Sequence, residues 1–135
     1  MLAGILLIVI SMSVMAKDKY MPKTGDADLD SSLITLNKKV KNRKLFVIKT
    51  ASEFQIQEEK ITELFKVYMF TVADVLMTAS ITDISGQPVS NVARAYFENK
   101  NLGWKYTLEQ MNVTKDSASF EQLKKDATAD YMLPR

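Results

Sequence analysis

The chain of 135 residues contains no cysteine and no histidine. Without cysteine it can form no disulfide, so stability has to come from packing even in an oxidising compartment. The two absences together remove thiol nucleophiles, imidazole general bases, Ser-His-Asp triads and zinc sites with nitrogen or sulfur ligands. Chemistry based on carboxylates, lysine, serine or tyrosine stays open. Glycine and proline are scarce, at 4 and 3 residues, and 47% of the chain is hydrophobic, which argues against disorder. Neither charge sign dominates. The 18 basic and 16 acidic side chains leave +2, with no global field favouring nucleic acid or an anionic membrane.

The most informative segment present is the first, MLAGILLIVISMSVMA. Leu2 to Ile10 is apolar apart from Gly4, and too short to span ~30 Å of hydrocarbon as a helix. Val14 and Ala16 occupy the minus-three and minus-one places of a cleavage site, and Lys17 opens a charged sequence. No lysine or arginine precedes the apolar run, so only the amino terminus supplies positive charge there. The segment reads as a signal peptide, residues 1–16, cleaved after Ala16. The competing readings are an uncleaved anchor and a buried N-terminal helix. Export puts the protein outside the cytoplasm, secreted or periplasmic, with no membrane span after cleavage. Its removal takes away no charge and leaves one domain of ordinary size.

Residues 17–35 read as a polar, exposed lead-in, with order beginning near Leu29 or Leu33. A helical domain is expected over 36–128, all-α, a compact bundle of five or six short helices, followed by a frayed tail, 129–135. Leu36, Val40, Val47, Ala51 and Phe54 form one helical stripe, although Leu45, Phe46 and Ile48 fall outside it and KLFVI could be a short strand. Ile61, Leu64, Phe65 and Tyr68 give a second helix. The third has the clearest start: Thr71 as N-cap, Asp74 three residues on, and Phe70 and Val75 as a hydrophobic staple. Its expected inner face is Val72, Val75, Leu76 and Ala79, and Gly86 stops it in a left-handed C-cap. Pro88 is expected at the first position of a fourth helix carrying Val89, Val92, Ala93 and Tyr96. Trp104, Leu108 and Met111 mark a fifth; Asp116 or Ser117 caps a sixth with Phe120, Leu123 and Ala127 inward.

Each candidate for chemistry has a plainer alternative. GDADLD spaces Asp26, Asp28 and Asp30 like the start of a calcium loop, but Ser31 and Asn37 stand where the loop needs Gly and Glu. An acidic solvated segment is the better reading, and no metal site is expected. Lys38, Lys39, Lys41, Arg43, Lys44 and Lys49 form a basic run that a continuous helix spreads around its circumference. Solvated, snorkelling lysines are the plain reading, contact with anionic lipid headgroups or cell-wall polymers the functional one. ITDISGQPVSNVARAYF resembles a helix-turn-helix, but Ser90, Asn91, Arg94 and Lys100 make a thin reading surface, and an exported protein meets no chromosomal DNA. Trp104 and Tyr96 are expected in the core, leaving Phe97 and Tyr106, with Arg94 and Lys100, as a candidate ligand or partner surface. Met69, Met77 and Met111 read as gap fillers rather than copper ligands. Asn112-Val113-Thr114 is a short glycosylation pattern that matters only in a eukaryotic host.

DADLDSSLITLN, then FTVADVLMTASITDISGQPVSNVARAYFENKNLGWKYTLEQMNV and SASFEQLK, resemble a family of small exported bacterial helical proteins of unknown function. The likeness covers most of residues 26–125 and is carried by Gly86, Pro88, Gly103, Trp104, Phe120 and Leu123; Met111-Asn112-Val113 departs from the family's usual Gly before the last aliphatic residue. It implies a secreted helical domain and brings no catalytic residue, cofactor or substrate. The expected function is a non-catalytic binding or interaction module of the bacterial cell envelope, with an envelope protein or cell-wall polymer as partner. A carboxylate-based enzyme is the alternative, and a helix-turn-helix nucleic-acid binder follows if the signal peptide reading fails. Thr71, Asp74, Gly86, Pro88, Gly103 and Trp104 are assigned structural roles.

Overall fold

A computed structural model describes residues 19–129. The expected signal peptide, residues 1–16, and all of the tail beyond residue 129 lie outside that range. The fold is all-α: seven helices and one 3₁₀ turn, with no strand among the described residues. In chain order the helices are α1 (Ala27–Lys39), α2 (Arg43–Phe54), α3 (Glu58–Lys66), α4 (Val72–Ser85), α5 (Val89–Glu98), α6 (Trp104–Gln110) and α7 (Ala118–Ala127). The turn Lys100–Leu102 precedes α6.

Two helices stand where the polar lead-in and a single stripe were expected. Asp26 takes the N-cap of α1, its Oδ1 accepting the Leu29 N–H at 2.8 Å. Asp28 and Asp30 lie in the first turn and Lys38 and Lys39 in the last, each favourable to the helix dipole. Leu29, Leu33 and Leu36, at i, i+4 and i+7, are fully buried. The aspartates that look like a loop are therefore the start of a helix. The stripe from Leu36 to Phe54 breaks at Val40–Asn42, where Asn42 turns outward and caps α2 through Leu45 N–H at 3.0 Å. KLFVI is helical, and Phe46, outside the expected stripe, is core.

Helix α4 is the axis of the fold and packs against α1, α2, α3, α5 and α7. Val72 to Ile81 is buried without interruption, so the expected one-sided face is in fact all round. A helix buried on every side, its polar Asp74, Thr78 and Ser80 included, belongs in the middle of a bundle. Its capping box is complete: Thr71 Oγ1 accepts from Asp74 N–H, and Asp74 Oδ2 from Thr71 N–H. Asn37 of α1 satisfies a further free donor, the Ala73 N–H, at 2.8 Å. Gly86 closes α4 at φ +74°, as predicted. Pro88 sits one residue earlier than predicted, as the N-cap of α5 with ψ 147°, and Val89 is the first helical residue. Ser117, not Asp116, caps α7, accepting from Phe120 N–H at 3.1 Å.

The segment before α1 is a strap, not a loose leader. The carbonyls of Pro22 and Lys23 accept the N–H groups of Trp104 and Lys105, both at 2.9 Å, and so cap α6 from 82 residues away in the chain. Gly103 makes this contact possible: a Cβ there would lie 2.3 Å from Lys23 Cβ and 2.9 Å from the Lys23 carbonyl. Thr24 is buried and donates through both N–H and hydroxyl to Asp30 Oδ1.

Candidate functional site

Two regions of the molecule concentrate charge against apolar surface. The first is internal. Asp74, fully buried, accepts the Tyr20 hydroxyl at 2.7 Å and the Trp104 indole N–H at 3.0 Å, both on Oδ1, besides the capping bond on Oδ2. Every partner is a donor, which suits an acceptor-only carboxylate. The Trp104 ring stacks on Tyr96 at 3.7 Å between centroids, and Tyr96 meets Phe70 edge-on. Burial, and then the charge of Asp74, push the Tyr20 phenol above its ordinary range; the same two causes act on Tyr96. Both phenols therefore stay protonated as donors. Asp126 repeats the theme on a smaller scale, accepting from Ser80 at 2.6 Å and from Gln122 at 2.9 Å.

The second region is open. Two grooves run on from one another where α2 and α3 pack together and continue over the 67–70 corner. One, about 680 Å³, is lined by Val40, Lys41, Met69 and Phe70. The other, about 510 Å³, is lined by Lys44, Ile48, Glu58 and Lys66. Arg43 and Phe65 belong to both, with the guanidinium 4.4 Å over the ring centroid. Among the described residues no carboxylate pairs with Lys41, Arg43, Lys44 or Lys66; Lys124 and Asp26, outside the grooves, do form an ion pair, at 3.7 Å. Met69, at φ +58°, is 73% exposed and Val67 65%. The floor beneath is core: Phe65, Phe70 and Val47.

The residues expected at a ligand surface are scattered. Phe97 is half exposed and packs edge-on against Tyr68 at 5.5 Å. Tyr106 is half-buried and accepts from Gln110 at 3.0 Å. Arg94 is exposed on α5 and Lys100 in the 3₁₀ turn. None of the four lines the basic grooves. Trp104 and Tyr96 are core, and Thr71, Gly86 and Gly103 take the structural roles assigned to them. Asp74 is more than a cap. Met77 fills the core, whereas Met69 projects into solvent and fills no gap.

The basic run is not carried on one continuous helix. A continuous helix would spread its charges, but the break at Val40–Asn42 turns Lys41, Arg43 and Lys44 to one side, and α3 adds Lys66. Asn42, a cap residue followed by a fresh apolar run, was the signal for that break. Asp26, Asp28 and Asp30 hold no metal geometry: Asp26 and Asp30 bond to backbone and Thr24, and no cluster of three or more acids fit for a cation occurs among the described residues. Comparison with known proteins finds no family model, no curated protein and no solved structure that matches the chain.

Proposed function

We propose that the protein is an exported, non-catalytic binding module of the bacterial cell envelope, and that it binds through the basic grooves of α2 and α3. The observation that carries this reading is the set of four unpaired cations around an apolar floor. Charge without a carboxylate partner beside exposed apolar side chains is a surface suited to an anionic partner. The acids support the reading from the other side. An enzyme working through carboxylates needs two of them facing a cleft with their pKa values pushed apart. Asp74 and Asp126 are instead spent on internal hydrogen bonds, and Asp83 stands exposed on the surface. A recognition helix needs a basic or amide-rich outer face, and α5 carries the single base Arg94. Export rests on the leader in the sequence and its likeness to small exported helical proteins; among the described residues no helix is long and apolar enough to cross a membrane.

The test is capture from an envelope extract by the parent and by a Lys44→Glu/Lys66→Glu variant, alongside amino-terminal sequencing of the chain from its own host. Export predicts a chain beginning at Lys17, and the binding reading predicts retention by the parent and not by the variant. An intact Met1 in the cytosolic fraction would return nucleic acid to consideration. Equal retention by both proteins would remove the grooves from the binding function.

A further inference from the structure

We infer that the partner of the basic grooves is an anionic phospholipid surface, on which the protein docks with the 67–70 corner inserted. This rests on the binding-module reading and names its ligand. Three observations converge. The cations of the grooves, Lys41, Arg43, Lys44 and Lys66, are opposed there by one acid, Glu58. The apolar groups beside them project rather than recede: Met69 and Val67 are the two most exposed large hydrophobics of the described residues, and Val67 follows Lys66 directly. A groove that takes a peptide or a small ligand keeps its apolar groups inside, whereas a peripheral membrane surface places them outermost among bases that reach headgroup phosphates. Finally, Tyr20 lines the same groove, and only Ser11 to Lys19 separate it from the apolar run Leu2–Ile10. At ~3.5 Å per residue that is a tether of about 30 Å. A leader held in the membrane would keep this face within that reach of it, and after cleavage the same face would keep the mature chain there.

The α1–α7 side differs in kind. On the α1–α7 side, Lys124 and Lys125 alternate with Asp28 and Glu121, and Lys124 is paired with Asp26. Each base near an anionic surface raises the partition coefficient about fivefold, so a local excess of three gives on the order of a hundredfold.

The experiment is flotation of the chain as recovered from its host, its amino terminus sequenced, with vesicles of phosphatidylcholine alone or mixed with phosphatidylglycerol. Binding to the mixed vesicles only, weakening as salt rises, is expected. Lys44→Glu/Lys66→Glu should lower it at least tenfold. Met69→Ser should lower it several-fold without changing the salt dependence, because it removes insertion and not charge. All these residues are exposed, and an unchanged far-ultraviolet spectrum establishes that the variants fold. Equal binding to both vesicle types, or charge reversal without effect, overturns the proposal. If vesicles fail to bind but the grooves still capture an envelope protein or polymer in a charge-dependent way, the lipid assignment falls and the binding module stands. If neither binds, both fall.

Discussion

Asp74 and the cations of the α2–α3 grooves are both charged groups set against apolar surface, and they are treated in opposite ways. Asp74 is enclosed and has a donor for each demand: a phenol, an indole and a backbone amide from three separate stretches of chain. A buried carboxylate left short of partners would cost several kcal/mol, so its enclosure ties those stretches to one arrangement. The groove cations make no such demand. Their side chains are exposed, Arg43 rests on the Phe65 ring, and among the described residues no carboxylate pairs with them. Charge inside the bundle specifies the structure, while charge in the grooves is free to meet something else.

That contrast breaks most visibly at Asp74. Asp74→Ala should destabilise the protein by about 3 kcal/mol, because the Tyr20 hydroxyl and the Trp104 N–H lose their acceptor at roughly 1–3 kcal/mol each. Chemical denaturation followed by Trp104 fluorescence measures it; a loss below about 1 kcal/mol would mean that water replaces the carboxylate and the enclosure is not tight. Gly103→Ala comes next, at about 2 kcal/mol, since the added methyl collides with Lys23 as well as sitting at φ +80°. Gly86→Ala is its control: the same sign of φ with nothing within 4 Å, hence strain alone, at ~1 kcal/mol. Thermal midpoints of the two variants separate strap from strain, and equal losses would show that the strap contributes nothing.

Asp26→Ala should cost about 1 kcal/mol at neutral pH through the lost cap. The bond from Leu29 N–H, helped by Lys124, holds the Asp26 carboxyl below the ordinary aspartate value of 3.8. A carboxyl whose pKa is lowered on folding stabilises above its unfolded pKa and ceases to as pH falls through the folded one. The gap between parent and variant should therefore be full at pH 7 and narrow below about pH 3.8; a gap constant down to pH 2 would mean that charge plays no part in the cap. The smallest effect belongs to the grooves: Lys44→Glu/Lys66→Glu should melt within about 0.5 kcal/mol of the parent, as exposed and unpaired positions do. A larger loss would show that these cations serve the fold after all, and the contrast with Asp74 would fail.

Local periodicity and capping carried the sequence a long way. The α4 cap at Thr71 and Asp74, its end at Gly86, and the inward Val92, Tyr96, Leu108, Phe120 and Leu123 follow from spacing that each helix satisfies by itself. Even α1 was legible, in Leu29, Leu33 and Leu36 behind the capping Asp26, although the aspartates drew attention away. The absence of cysteine and histidine bounded the chemistry before any fold was known. Tertiary structure alone decided three things. It made Asp74 a hub, because Tyr20 and Trp104 lie 54 and 30 residues away and no local rule pairs them. It seated the strap on α6, because the donors of one helix end are met by carbonyls from a distant segment. And it gathered Lys41, Arg43, Lys44 and Lys66 into one surface, because the side a charge faces depends on where a helix breaks and which neighbour packs beside it.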